Sequence, residues 1–199
     1  MPFTDEQRRL LLDNAYNDPR LPELLERMLI EGPGEYPMEP SSCEEEELPL
    51  WERVWSLVYH QATLYPATFV AVPFMCEVLK FSASTPEPFL YLAEIEAVRS
   101  VQQDVKNRFP AVTDELWRDY SEAIRSLGPL ILEKLTANFD TAYRSEVVKA
   151  SMLSLLAFSG GEERLGFALA RWWPYAILGN QKIPLASVRQ YEEMKHWNE

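Results

Sequence analysis

The stretch from Trp51 to Pro73, WERVWSLVYHQATLYPATFVAVP, changes its apolar pattern midway. Leu50, Trp51, Val54, Trp55, Leu57 and Val58 share one broad face at helical spacing, and Glu52, Arg53 and Ser56 take the other. That division predicts an amphipathic helix with the three polar residues turned to solvent. After a polar joint at His60-Gln61, Pro66 suits a helical first turn, where its missing N–H costs nothing. Phe69, Val70, Ala71, Val72, Phe74, Met75, Val78 and Leu79 then surround the next helix on nearly all sides, so it has to be central. Pro73 removes one backbone hydrogen bond and predicts a kink near its middle.

Helical signals continue in both directions. Thr4-Asp5-Glu6-Gln7 matches a capping box and starts a first helix expected to reach about Tyr16. A second, with Pro22 in its first turn, carries Leu24, Leu25, Met28 and Leu29 inward and stops at Gly32-Pro33-Gly34. Further helices are expected from Pro86 to about Val105, from Thr113 to a stop at Gly128-Pro129, and from Leu130 to Asn138. The pattern then predicts one capped by Asp140 and ending at Gly160-Gly161, one from Glu162 to Trp173 ended by Pro174, and one from Pro184 to Trp197. No segment alternates with period two as strands do.

Between Glu31 and Leu48 the run EGPGEYPMEPSSCEEEEL mixes three prolines, two glycines and seven glutamates without a single Lys or Arg. Neither helical nor strand periodicity fits it, so it reads as a long exposed acidic loop. The expected fold is therefore all-α: a single domain over 1–199, with an N-terminal helical cap at 1–30, the acidic loop at 31–48 and an array of helix pairs at 49–199. Helices pair regularly while sequence repetition is weak, as in a degenerate HEAT/armadillo-like α-α superhelical array.

Trp55, His60-Gln61, Tyr65, Ala67 and Ala71-Val72-Pro73 resemble a recurring segment of bacterial HEAT-like repeat proteins of unknown function. The resemblance covers about residues 48–82 and implies a fold; it brings no catalytic residues. Ala62 stands where that joint is expected to hold Gly.

Charge and composition narrow the function. A net charge of -12 repels nucleic-acid phosphates, which are bound through Lys and Arg, so nucleic acid is a poor partner. No run approaches the roughly 20 apolar residues of a membrane span, and the opening MPFTDEQRRLLLD lacks a secretory pattern, which predicts a cytoplasmic protein. Cys43 and Cys76 stand in unlike surroundings and are not expected to form a disulfide framework.

Among side chains that carry chemistry, His60, Gln61 and Tyr65 form the best polar constellation, with Trp51 and Trp55 as neighbouring motif residues. A structural role for His60 on the unpaired carbonyls at a helix end is the expected one. Trp172 and Trp173, with Pro174 and Tyr175, form an aromatic cluster suited to core packing or to anchoring a partner. No metal or cofactor is expected: His60 and His196 are the only histidines, and a single Glu193-x-x-His196 does not make a di-iron site. No nucleophile elbow or phosphate-binding glycine loop occurs. Glu94 and Glu96 point about 200° apart on a helix, one expected to be solvated and one partly buried. The expectation is a non-catalytic protein-protein interaction module for a basic protein partner, an immunity protein being one concrete version. The alternative, an enzyme on a HEAT-like scaffold such as a DNA-glycosylase-like protein, is disfavoured by the acidic charge.

Overall fold

The computed structural model describes residues 3–34, 48–81, 87–102, 105–138 and 146–176. Among them the secondary structure is nine helices and one short antiparallel strand pair, so the chain is mostly helical. Its chain contacts divide it into two units, Met1–Pro88 with Phe109–Ala123, and Phe89–Arg108 with Ile124–Glu199.

In the first unit α1 (Asp5–Leu11) starts on the expected capping box: the Gln7 amide donates to Thr4 Oγ1 at 3.1 Å and the Thr4 amide to Gln7 Oε1 at 3.0 Å. The helix stops at Leu11, short of Tyr16, because the buried Asn14 side chain takes over the backbone groups that would have continued it. Next, α2 (Leu21–Glu31) buries Leu21, Pro22, Leu24, Leu25 and Met28 and ends at Gly32, whose φ of 84° suits only glycine without strain.

The chain leaves the described residues at Gly34 and returns at Leu48, and the two ends meet: the Trp51 amide donates to the Pro33 carbonyl at 3.1 Å. A Cβ on Gly34 would lie 3.2 Å from the Leu50 nitrogen. Most of the expected acidic loop, residues 35–47, lies outside the described residues. From there α3 (Leu50–Val58) buries Leu50, Trp51, Val54, Leu57 and Val58 of its predicted stripe and leaves Trp55 half-buried. Arg53, expected on the solvent face, is instead 9% exposed, because α3 is covered on a broader arc than an amphipathic stripe implies.

The joint that follows contains the one strand pair among the described residues, β1 (Tyr59–His60) paired antiparallel with β2 (Thr63–Leu64). Two-residue strands leave no alternation to detect, so their absence from the sequence pattern is understandable. Behind them α4 (Pro66–Phe81) is buried on nearly every side, at Ala67, Phe69, Val70, Ala71, Val72, Met75, Val78 and Leu79, and Pro73 sits inside it without ending it. Phe69 is an aromatic hub, with ring centroids 5.3 Å from Phe109, 4.6 Å from Trp117 and 5.3 Å from Tyr120.

In the second unit α5 (Glu87–Val101) ends four residues before the expected Val105, where a separate short α6 (Val105–Arg108) begins. The Gln102 amide splits between the Val98 and Arg99 carbonyls, a fraying end. The helix α7 (Asp114–Asn138) overturns the stop at Gly128-Pro129 by running through it; its residues from Ile124 onward belong to this unit. Gly128 is a packing glycine: a Cβ there would come within 2.8 Å of Ser159 Oγ. Pro129 costs α7 one hydrogen bond, which a long helix with buried Ile124, Leu127 and Ile131 can bear.

The last described pair is α8 (Glu146–Ser159) and α9 (Glu163–Ala176). They approach closely because Gly166 faces the Phe158 ring, whose carbons would stand 2.8 Å from an added Cβ, and Ser154 Oγ donates to the Gly166 carbonyl at 2.7 Å. Pro174, expected to end α9, lies inside it, since one lost amide bond does not outweigh that packing. The Asp140 cap and the helix from Pro184 to Trp197 fall outside the described residues.

Candidate functional site

The polar residues singled out in the sequence converge on the joint between α3 and α4, and the segment between α1 and α2 holds that joint in place. Asn14, 3% exposed, satisfies all four of its side-chain bonding positions. Its Nδ2 donates to the Leu11 and Asp18 carbonyls at 2.8 and 2.9 Å, and its Oδ1 accepts from the Tyr16 and Asp18 amides at 3.2 and 2.9 Å. A buried amide with every partner in place fixes its loop in one conformation. The loop is then bolted to both neighbours of the joint, Ala15 N to the Leu57 carbonyl at 2.8 Å and Ala67 N to the Asp13 carbonyl at 3.2 Å.

At the end of α3, Tyr59 turns extended and pairs with Leu64, as His60 does with Thr63. Gln61 and Ala62 complete the hairpin with φ of 48° and 58°. Positive φ at both central residues is the signature of a type I′ turn, which favours Asn-Gly and is uncomfortable for residues with a Cβ. The turn geometry that Gly would normally supply in this joint is thus adopted by Ala62, and both turn residues are exposed.

Thr68, fully buried, stitches the two ends together. Its hydroxyl donates to the Val58 carbonyl at 2.5 Å and accepts from the Tyr65 amide at 2.9 Å. The carbonyl-satisfying role expected of His60 therefore belongs to Thr68. His60 lies in β1, beyond the helix, and its Nδ1 is 3.0 Å from the hydroxyl of Tyr16, whose ring meets it edge-on at 5.2 Å.

Trp55 stacks on Tyr59 with centroids 4.2 Å apart, and both rings are half-buried. Tyr65 is half-buried and contributes its backbone to the start of α4. Tyr16 is 58% exposed. The hairpin thus presents Trp55, Tyr59, His60, Gln61 and Tyr16 at or near the surface, whereas Trp51, at 1% exposure, is core. Trp172 and Trp173 lie on α9, and their side chains fall outside the described residues.

Asn14, Tyr16 and Thr68 were not singled out by the sequence. The only signal was the run Asp13-Asn14-Ala15-Tyr16-Asn17-Asp18-Pro19, which is dense in turn formers. Arg53 is the other surprise. Its Nε is buried without a hydrogen-bond partner, and its charge lies close enough to help hold the Asp18 carboxyl below the ordinary aspartate value. The larger cause there is the side-chain hydrogen bonding of Arg20 to Asp18, at 2.5 to 3.0 Å.

Glu94 and Glu96, in the second unit, are both drawn inward. The Glu96 side chain is 2% exposed and accepts from Arg99, which also reaches Glu163 at 3.0 Å; Glu94 pairs with Arg171 at 3.0 Å. Neither pair offers an unengaged acid and base side by side. Among the described residues no group of three or more His, Cys, Asp or Glu could hold a metal ion, and no helix is long and apolar enough to cross a membrane. No protein family, no curated protein and no solved structure matches the chain.

Proposed function

We propose that this protein is a non-catalytic protein-binding module whose partner is a basic protein. The observation that carries the reading is the acidic segment: six glutamates between Gly34 and Leu48, with no Lys or Arg, anchored at a fixed base where the Pro33 carbonyl meets the Trp51 amide. Such a segment attracts a cationic surface over a distance of about 10 Å at 0.1 M salt, and the attraction fades as salt rises. The half-exposed aromatic residues of the hairpin, on the same unit, supply the side-chain types that dominate binding energy once contact is made.

The scaffold for this role is a HEAT-like stack of helix pairs, supported by the close α8–α9 hairpin and by the resemblance around Trp55, His60-Gln61 and Tyr65. Neutralisation of a basic toxin, in the manner of an immunity protein, is the version that suits size and charge best. The test is affinity capture from lysate of the native host at about 50 and 300 mM salt, followed by reconstitution from purified components. A basic protein that binds stoichiometrically, weakens at the higher salt and loses affinity when Glu44–Glu47 become glutamine supports the reading. Recovery of the chain alone at both salts overturns it.

A further inference from the structure

We infer that the Arg53 guanidinium is a binding site for a carboxylate group, a role separate from the capture of a basic partner and independent of it. Arg53 is nine-tenths buried in α3, and its Nε has no hydrogen-bond partner. A buried charged donor without a partner is among the most expensive features a fold can hold, so its persistence points to a group that satisfies it. The nearby carboxylate that senses its charge, Asp18, is already engaged: Arg20 takes both of its oxygens through Nε and Nη2, and the Arg20 amide donates to Oδ1. Asn14 fixes the Asp18 backbone on both sides, so Asp18 cannot swing over to Arg53 without breaking a fully satisfied network.

Charge selects the class of ligand. Asp18, Arg20 and Arg53 sum to one positive charge inside a chain of net charge -12. One carboxylate neutralises that trio, whereas a phosphate dianion leaves it negative within an already acidic protein. Geometry agrees: the side-on edge of a guanidinium, Nε–H with one Nη–H, matches the two oxygens of a carboxylate, and here Nε is the unsatisfied atom.

The test uses the intact chain and follows the Arg53 Nε–H resonance by heteronuclear NMR while acetate, phosphate or chloride is added at matched ionic strength. Acetate should shift the resonance saturably, at roughly tenfold lower concentration than chloride, with phosphate weaker than acetate. The parent should show an acetate-dependent rise in Tm, and Arg53→Lys, which keeps the charge but lacks the side-on fork, should lose it. Arg53→Met, which removes both the charge and the fork, should lose it as well. An Nε–H resonance that does not respond to acetate, or responds equally to chloride, overturns the proposal and leaves water as the partner. Saturation by phosphate as tight as by acetate overturns the carboxylate assignment. Should Arg53→Met fail to fold, the NMR titration of the parent decides alone.

Discussion

Two carboxylate–arginine pairs, one in each unit, look alike in distance and behave oppositely. Asp18 and Arg20 meet at 2.5 to 3.0 Å, and Glu94 and Arg171 at 3.0 Å. Hydrogen bonding by Arg20 holds the Asp18 carboxyl below the ordinary aspartate range. Burial pushes the Glu94 carboxyl above the ordinary glutamate range, and the charge and hydrogen bond of Arg171 only partly oppose it. Exposed surface does not explain the difference, since the Asp18 side chain is 11% exposed and Glu94 23%. The balance of causes differs: at Asp18 the hydrogen bonding of Arg20 outweighs burial, and at Glu94 burial outweighs the charge and hydrogen bond of Arg171. An ion pair is thus a stabilising device at the first position and a partly repaid cost at the second.

In the second unit two ion pairs join one helix to another. Its helices α5 and α9 run antiparallel where they are tied, because Arg99 reaches Glu163 near the start of α9 while Glu94 reaches Arg171 near its end. Arg99→Ala should have the largest effect of any substitution here, a loss of about 3 kcal/mol, because it withdraws a bidentate partner from the nearly inaccessible Glu96. Urea unfolding measures it, and pairing it with Glu96→Leu should recover much of the loss. If Arg99→Ala were neutral, the inaccessible Glu96 carboxylate would not depend on its arginine partner.

The matching disruption in the first unit involves no charge. Asn14→Ala removes four hydrogen bonds at once and should cost about 2 kcal/mol, part of the loss being made good by water at the loop surface. Because the partners are neutral, this cost should not change between low and high salt. Thr68→Val should cost about 1 kcal/mol for the same reason, since the Val58 carbonyl and Tyr65 amide are left unpaired by a side chain of similar volume.

Those two residues also show what the sequence could and could not convey. The capping box at Thr4-Gln7, the glycine stop at Gly32 and the buried positions of α3 and α4 were legible, because each depends on neighbours within one or two helical turns. Thr68 acts across ten positions on Val58, and the loop that Asn14 fixes reaches Leu57 and Ala67 through the backbone of Ala15 and Asp13; no local period encodes such partners. Gly128 and Pro174 misled for the complementary reason. Each carries a helix-stopping signal of order 1 to 3 kcal/mol, which close packing against a neighbouring helix can override. The candidate site was half legible: His60, Gln61, Tyr65 and Trp55 do gather at one joint, but their organiser is the loop from Asp13 to Asp18, far upstream in the chain.

The opposite titration of the two pairs yields a smaller, signed effect. Asp18 has a folded value below the ordinary 3.8, so its contribution is present above that value and is lost as pH falls through the folded one. Glu94 has a folded value above the ordinary 4.5, so the folded state prefers its protonated form. Its favourable contribution is complete below 4.5 and is lost as pH rises through the folded value. At neutral pH, Asp18→Asn should therefore destabilise and Glu94→Gln should stabilise. Glu94→Gln should also flatten the decline of stability with pH above 4.5. A destabilised Glu94→Gln would show that the pair with Arg171 outweighs burial and would erase the comparison.

The smallest expected change tests the hairpin itself. Ala62, at φ 58°, occupies a conformation that costs a residue with a Cβ roughly 1 to 2 kcal/mol, while glycine in its place adds about 0.4 to 1 kcal/mol of unfolded-chain entropy. Ala62→Gly should therefore raise stability by only about 0.5 kcal/mol, visible as a small rise in the urea midpoint with unchanged slope. Its value lies in what it separates. If the hairpin contributes through the surface formed by Trp55, Tyr59 and Tyr16, the glycine variant keeps its affinity for the basic partner, since none of those rings is altered. If affinity falls while stability rises, the strained turn is itself part of the binding surface, held in place by an Asn14 network strong enough to tolerate it.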